Sequence, residues 1–135
     1  MQCPVCAGHP EMIVLELDEV EVDYCPNCRG VWLDAGELEL VIDKTGGQAA
    51  TLGDVLQAEG DAPADAPRRC PRCRRRMRQP NLEGGGEPVT VDVCPRGHGV
   101  WLDDGELRTL VHAAGGSAAV RALSDYFGHL FGVGG

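Results

Sequence analysis

Aromatic residues are scarce in this chain of 135 residues: two Trp, two Tyr and two Phe are few anchors for a single core. The length suits one ordinary domain or two very small ones, and domains well below about 60 residues bury too little apolar surface to fold without disulfides, metals or partners. No run of apolar residues approaches the roughly 18 that a membrane span needs, so no membrane association is expected. The first ten residues, MQCPVCAGHP, show neither the basic start nor the apolar stretch of a secretory signal. A Ser/His/Asp arrangement, a phosphate loop and an H-E-x-x-H motif are all missing, so no catalytic residue is assigned and no enzymatic activity is expected. These absences describe a soluble, cytoplasmic, non-enzymatic chain that needs a staple.

Cysteine supplies the staple. There are seven, an odd number that cannot all pair as disulfides within one chain. Without export, paired cysteines read as metal ligands.

The sequence then repeats itself. Residues 25–38 read CPNCRGVWLDAGEL, and residues 94–107 read CPRGHGVWLDDGEL, an offset of 69. Upstream, Cys3-Pro4-Val5-Cys6 returns as Cys70-Pro71-Arg72-Cys73 at an offset of 67, and Val20, Val22 and Tyr24 return as Val89, Val91 and Val93. One unit is present twice.

Two cysteines separated by two residues place both sulfurs on one side of a tight turn, and zinc takes four such donors at tetrahedral corners. In the first unit Cys3, Cys6, Cys25 and Cys28 have the spacing of a four-cysteine zinc site. Thioredoxin-like redox pairs are disfavoured by the lack of a βαβ pattern. Iron also suits tetrahedral sulfur. In the second unit Cys70, Cys73 and Cys94 match, but Gly97 stands where Cys28 does, with His98 one residue further on. An imidazole reaches further than a thiol, so the expected second site is Cys70, Cys73, Cys94 and His98. The alternative is an open site completed by water or His112. Two structural zinc ions are therefore expected, and with so little core in either unit they are expected to supply most of the folding free energy, on the order of 10 kcal/mol for each.

The fold class expected is small, metal-stabilised α+β: tandem zinc ribbons, each an antiparallel β-hairpin with two zinc knuckles and a short C-terminal helix, plus a C-terminal helical tail. Residues 12–17 and 20–24 read as a hairpin turning at Asp18 and Glu19. In the second unit the connection lengthens through Gly84-Gly85-Gly86, a loop expected to be mobile. Asp34 and Asp103 each precede a Glu by three residues, the signature of a capped helix start, which places helices near 35–43 and 104–113. Trp32 and Trp101, with Leu33, Leu38, Leu102 and Leu107, are expected to form each unit's own core. The boundaries are residues 1–44 for the first ribbon, 45–69 for a linker with a short helix at 51–59, 70–113 for the second ribbon, and 114–135 for the tail. Leu123, Tyr126, Phe127, Leu130 and Phe131 give that tail one apolar side, to be covered by its own ribbons, a second copy or a partner's groove.

With C-P-x-C at the start and C-P-x-C-x-G-V-W-L-D-x-G-E-L after it, the chain resembles the bacterial TFIIB-type zinc-ribbon family, twice over, at residues 3–43 and 70–112. The resemblance implies a zinc-ribbon fold and a ligand role for the seven cysteines; His98 departs from the four-cysteine form. None of the cyclin-like helical repeats of the transcription factor is present, so transcription does not follow from the name.

Charge divides the halves. Residues 1–43 hold ten acidic side chains against Arg29, whereas residues 68–78 hold seven arginines and no acid. Two loaded metal sites would take the formal charge from −9 to about −12. Arg72, Arg74, Arg75, Arg76 and Arg78 surround a knuckle that could meet phosphates or an acidic partner, since arginine forks match both. No aromatic residue interleaves them for base stacking. The expectation is a protein-interaction or scaffold module with an unidentified protein partner, with nucleic-acid binding through the arginine knuckle as the alternative. The acidic ribbon could also dock on the arginine knuckle of its sister.

Overall fold

A computed structural model of the chain describes residues 1–61, 68–84, 86–113 and 115–130. The expected hairpin forms from β1 (Ile13–Leu17) and β2 (Val20–Tyr24), with Leu17 opposite Val20 and Ile13 opposite Tyr24. Asp18 and Glu19 turn it with φ of 51° and 68°, the left-handed pair that lets a two-residue turn match the twist of its strands. The next segment, β3 (Val31–Asp34), leads into α1 (Ala35–Lys44), and α2 (Ala49–Leu56) follows. The second ribbon is more broken. Short strands β4 (Asn81–Leu82) and β5 (Val89–Thr90) pair with each other, and β6 (Asp92–Val93) precedes β7 (Gly99–Leu102) and α3 (Asp104–Val111). The tail is α4 (Ala118–Leu130). The expectations for residues 62–67, Gly85 and Phe131 lie outside the described residues.

The ribbons do not stand apart. β3 pairs antiparallel with β7, which joins them in one five-stranded sheet of order β1-β2-β3-β7-β6. Trp32 lies opposite Trp101, Val31 opposite Leu102 and Leu33 opposite Val100. Trp32 and Trp101 occupy one position of the repeat, so this register relates the ribbons by an approximate twofold axis through the tryptophan pair.

Strand alternation then sorts the side chains onto two faces. Trp32 and Trp101 point to the knuckles, where they pack with five cysteines, Met12 and Met77. Val31, Leu33, Val100 and Leu102 point the other way, into one aliphatic cluster shared by both ribbons, with Leu38, Val41 and Ile42 of α1, Leu107 and Leu110 of α3, and Val120, Leu123 and Phe127 of α4. The expectation of two separate small cores is therefore corrected. The tryptophans and leucines face opposite ways, and the shared core is built mainly of valine and leucine, with Tyr126 and Phe127 as its aromatics. Leu123, Tyr126 and Phe127 of α4 are covered by the chain's own elements, and the Tyr126 hydroxyl donates to the Leu17 carbonyl at 2.6 Å.

Gly30 and Gly99, equivalent in the repeat, make this junction possible. A Cβ on Gly30 would fall within the Trp101 ring, and one on Gly99 would meet the Trp32 ring and the Leu33 carbonyl. Each ribbon thus omits a side chain where its sister lays an indole. Gly30→Ala is expected to cost about 1–3 kcal/mol, the usual penalty of overpacking, and to lower the thermal midpoint without loss of zinc. Gly99→Ala, which also meets backbone, is expected to cost more; thermal melts alongside metal analysis check both.

Candidate metal centres

The four knuckles are tight turns fixed by backbone hydrogen bonds. In the second, Arg29 N donates to the Cys25 carbonyl at 2.7 Å; in the third, Arg74 N donates to Cys70 at 2.8 Å. Both residues have φ of 66°. The fourth knuckle turns one residue sooner: Gly97 N donates to the Cys94 carbonyl at 3.0 Å with φ of 74°. Glycine takes that left-handed backbone without steric cost, and the tighter turn brings His98 round to the donor position. All three loops then close alike, with Cys25 N, Cys70 N and Cys94 N bonding Gly30, Arg75 and Gly99.

The eight expected ligands gather into two tetrads, each with donor atoms within 4.8 Å of one another. In the first, Cys3 and Cys28 sulfurs are 3.7 Å apart and Cys6 and Cys25 sulfurs 3.8 Å. In the second, Cys73 and Cys94 sulfurs are 3.6 Å apart, and His98 Nδ1 lies 3.5 Å from Cys94 and 4.0 Å from Cys70. A tetrahedron of zinc–sulfur bonds near 2.3 Å has edges of about 3.8 Å, and a sulfur–nitrogen edge of about 3.5 Å. The tetrads fit two structural zinc ions. His112 caps α3 instead.

The surroundings suit thiolates. Val5 N and Cys6 N point at the Cys3 sulfur, Arg72 N at Cys70, Arg96 N at Cys94, and Asn27 Nδ2 reaches Cys6 at 3.1 Å. Burial pushes the Cys25 and Cys73 thiols up, but backbone donors and neighbouring ligands outweigh it and bring both to about 7. Burial prevails at Cys70, which rises to about 12. A metal entering either tetrad must displace protons.

Beside each tetrad lies a carboxylate trio the spacing argument did not assemble: Asp23, Asp34 and Glu37 in the first ribbon, Asp92, Asp103 and Glu106 in the second. Asp23 and Asp92 share one position of the repeat, and an acid returning amid valines was the available signal. Arg68 enters the second trio, 3.0 Å from both Asp92 and Asp103 and 3.5 Å from Glu106. Burial first, then Asp103 and Asp92, raises Glu106 to about 9. Glu37 rises to about 8 through burial first and then Asp34.

The expected caps divide. Asp103 and Glu106 form a full capping box on α3, with Glu106 N donating to Asp103 at 2.8 Å. Asp34 begins α1 without a side-chain cap. Its carboxylate instead accepts from Trp32 Nε1 at 2.8 Å and from both Nε and Nη2 of Arg72, the latter at 2.7 Å. Asp34 is diverted because the sister ribbon delivers a guanidinium, a stronger partner than a neutral amide.

The arginine knuckle is accordingly part spent. Arg72 binds Asp34, Arg74 reaches Gln2 at 2.8 Å, and Arg78 donates to the Leu56 carbonyl at 2.9 Å. Arg75 and Arg76 are exposed and make no ion pair among the described residues. Arg69 and Arg74 line a cleft of 150 Å³ between the first knuckles of the two ribbons, with Gln2, His9, Cys3 and Cys70. Among the described residues no helix is long and apolar enough to cross a membrane.

A family model described as the transcription factor zinc-finger, a TFIIB-type zinc ribbon, matches residues 2–44 and 69–113. Comparison with curated proteins and with solved structures finds no match. The matched segments carry the two tetrads and their knuckles, and together they span well over half of the chain: it belongs to the TFIIB-type zinc-ribbon family, with two copies of the ribbon joined in one sheet.

Proposed function

We propose that the chain is a non-enzymatic, cytoplasmic protein-interaction module in which two zinc ions hold a rigid pair of ribbons for a protein partner. The observation that carries this reading is that two of the arginines are already paired within the fold. Arg68 and Arg72, which a phosphate-binding knuckle would present outward, are held by carboxylates of the fold. The net charge of −9 before metal opposes association with a polyanion.

A second reading keeps nucleic acid as the ligand. Exposed Arg69 and Arg74 lining the inter-knuckle cleft, with Arg75 and Arg76 exposed next to them in the chain, favour it. Random-sequence DNA and RNA, titrated against the zinc-loaded chain over a range of salt, separate the two. The protein-interaction reading expects no measurable affinity at low salt and no change on replacing Arg74, Arg75 and Arg76 by Ala. Binding with a steep salt slope that flattens by about three charges in the triple variant would transfer the function to nucleic acid.

A further inference from the structure

The two ribbons treat equivalent sheet edges differently. Leu17 and Val20 flank a two-residue turn and so exchange hydrogen bonds, as do Leu15 with Val22 and Ile13 with Tyr24. The N–H and C=O groups of Val14 and Glu16 therefore point away from β2. Among the described residues, no backbone group pairs with them. In the second ribbon Arg78 pairs with Val93 as Ile13 pairs with Tyr24, which puts Gln79 in the place of Val14. There the outward N–H is taken: Gln79 N donates to the Asp61 carbonyl at 3.0 Å. Among the described residues, the chain covers one edge with itself and leaves the other open.

The open edge is apolar in the middle and acidic around it. Ile13 is 47% exposed and Val14 62% exposed, two of the four large apolar side chains on the described surface. Glu16 lies directly opposite Glu21, a pair that the register makes non-hydrogen-bonded and hence the closer kind. Like charges in that position repel, and neither has an ion-pair partner among the described residues. Asp18 adds a further exposed carboxylate at the turn. An unpaired strand of this kind is a template for another strand. A second copy of β1 would bring Glu16 against more acid, so the charge selects a basic partner.

We propose that β1 is a strand-addition site for an extended segment of a partner protein in which β-branched and basic residues alternate. The segment pairs with the backbone of Val14 and Glu16, sets Lys or Arg on the face of Glu16 and Glu21, where their aliphatic stems also cover Val14, and lays its β-branched side chains against Ile13 on the other face. Main-chain hydrogen bonds supply the affinity and the alternating side chains the selectivity, the general mode of strand addition. This names the partner chemistry for the protein-interaction reading and rests on it.

The test uses the zinc-loaded full chain and two blocked peptides, Thr-Val-Lys-Val-Lys-Val-Thr and the same with Glu for Lys, followed by fluorescence anisotropy and by amide chemical shifts. The expected result is at least ten-fold tighter binding of the Lys peptide, with the largest shifts at Val14 and Glu16. Val14→Pro removes only an outward N–H, a substitution that edge strands accept, and should weaken binding at least ten-fold while two zinc ions stay bound. Glu16→Lys relieves the facing carboxylates and should reverse the preference between peptides. Equal affinities, shifts elsewhere, or unaltered binding to both variants would overturn the proposal. Protein partners crosslinked equally by the wild type and Val14→Pro would spare the wider reading and remove β1 alone. Salt-dependent nucleic-acid binding would remove both.

Discussion

Chelation of the chain is expected to release two zinc ions and to open the knuckle face while much of the helical signal survives. The two apolar clusters divide the cofactor dependence between them. Cys3, Cys6, Cys25, Cys70 and Cys94 pack with Trp32, Trp101, Met12 and Met77 on one side of the sheet. The cluster on the other side, which holds α1, α3 and α4 against the strands, contains no cysteine. Structural zinc is worth on the order of 10 kcal/mol in small metal-dependent folds, and here that contribution falls on one face. Both tryptophans are fully buried, so their emission reports that face directly. Removing zinc should shift it strongly to the red and expose seven titratable thiols, with the helical ellipticity falling much less. Simultaneous, complete loss of both signals would show that the aliphatic face cannot stand without metal. His98→Ala should leave the four-cysteine site loaded and weaken zinc at the other; a chain that still binds two ions with undiminished affinity would remove His98 from the ligand set.

Local chemistry in the sequence announced much of this architecture. The C-x-x-C spacing assembled the first tetrad and, with the longer reach of His98, the second; the alternation of residues 12–24 gave the first hairpin, and Asp and Glu three residues apart the starts of α1 and α3. The union of the ribbons was not legible in the same way. Val31, Trp32, Leu33 and their counterparts are buried on both faces, so they show no alternation, and a run of three apolar residues reads equally as a knuckle's small core. Their pairing is also as non-local as the repeat itself. A signal was nevertheless present: glycine precedes V-W-L in both copies, and each such glycine is where the sister's indole lies. The arginine-rich segment misled for a related reason. A count of charges gives a patch, but it does not show that Asp92, Asp103 and Asp34 stand within reach of Arg68 and Arg72.

Those internal pairs also explain how two copies of one unit came to differ in surface chemistry. Both carboxylate trios draw a guanidinium from the segment around the third knuckle, Arg68 just before the second ribbon for that ribbon's trio and Arg72 across the twofold for the first. Val5, the first-ribbon equivalent of Arg72, offers nothing in return. The first ribbon is thus the acceptor and the second the donor, which leaves carboxylates as the principal free charge around β1.

The second large effect is expected at Arg68. Its side chain is one-quarter exposed, whereas Asp92 beside it is 1% exposed. Removing one partner of such a pair strands the other charge, a loss of about 3 kcal/mol at the lower end of the range for buried pairs. Arg68→Ala should therefore lower the thermal midpoint by about 10 °C at pH 8. The pH dependence identifies the cause. Burial raises Asp92 even with Gln79 and Arg68 holding it down, so without Arg68 its folded pKa must lie higher still. A carboxyl raised on folding contributes its stability below the unfolded pKa and loses it as pH rises through the folded value. The penalty in Arg68→Ala should consequently shrink as the pH is lowered from 8, and Asp92→Asn in the same background should recover much of it. Glu106, raised to about 9, already holds its proton at neutral pH, so Glu106→Gln keeps the capping acceptor and should flatten the wild-type decline between pH 6 and 9. A penalty in Arg68→Ala that is constant across that range would mean that lost packing, and not the stranded Asp92 carboxylate, sets the cost.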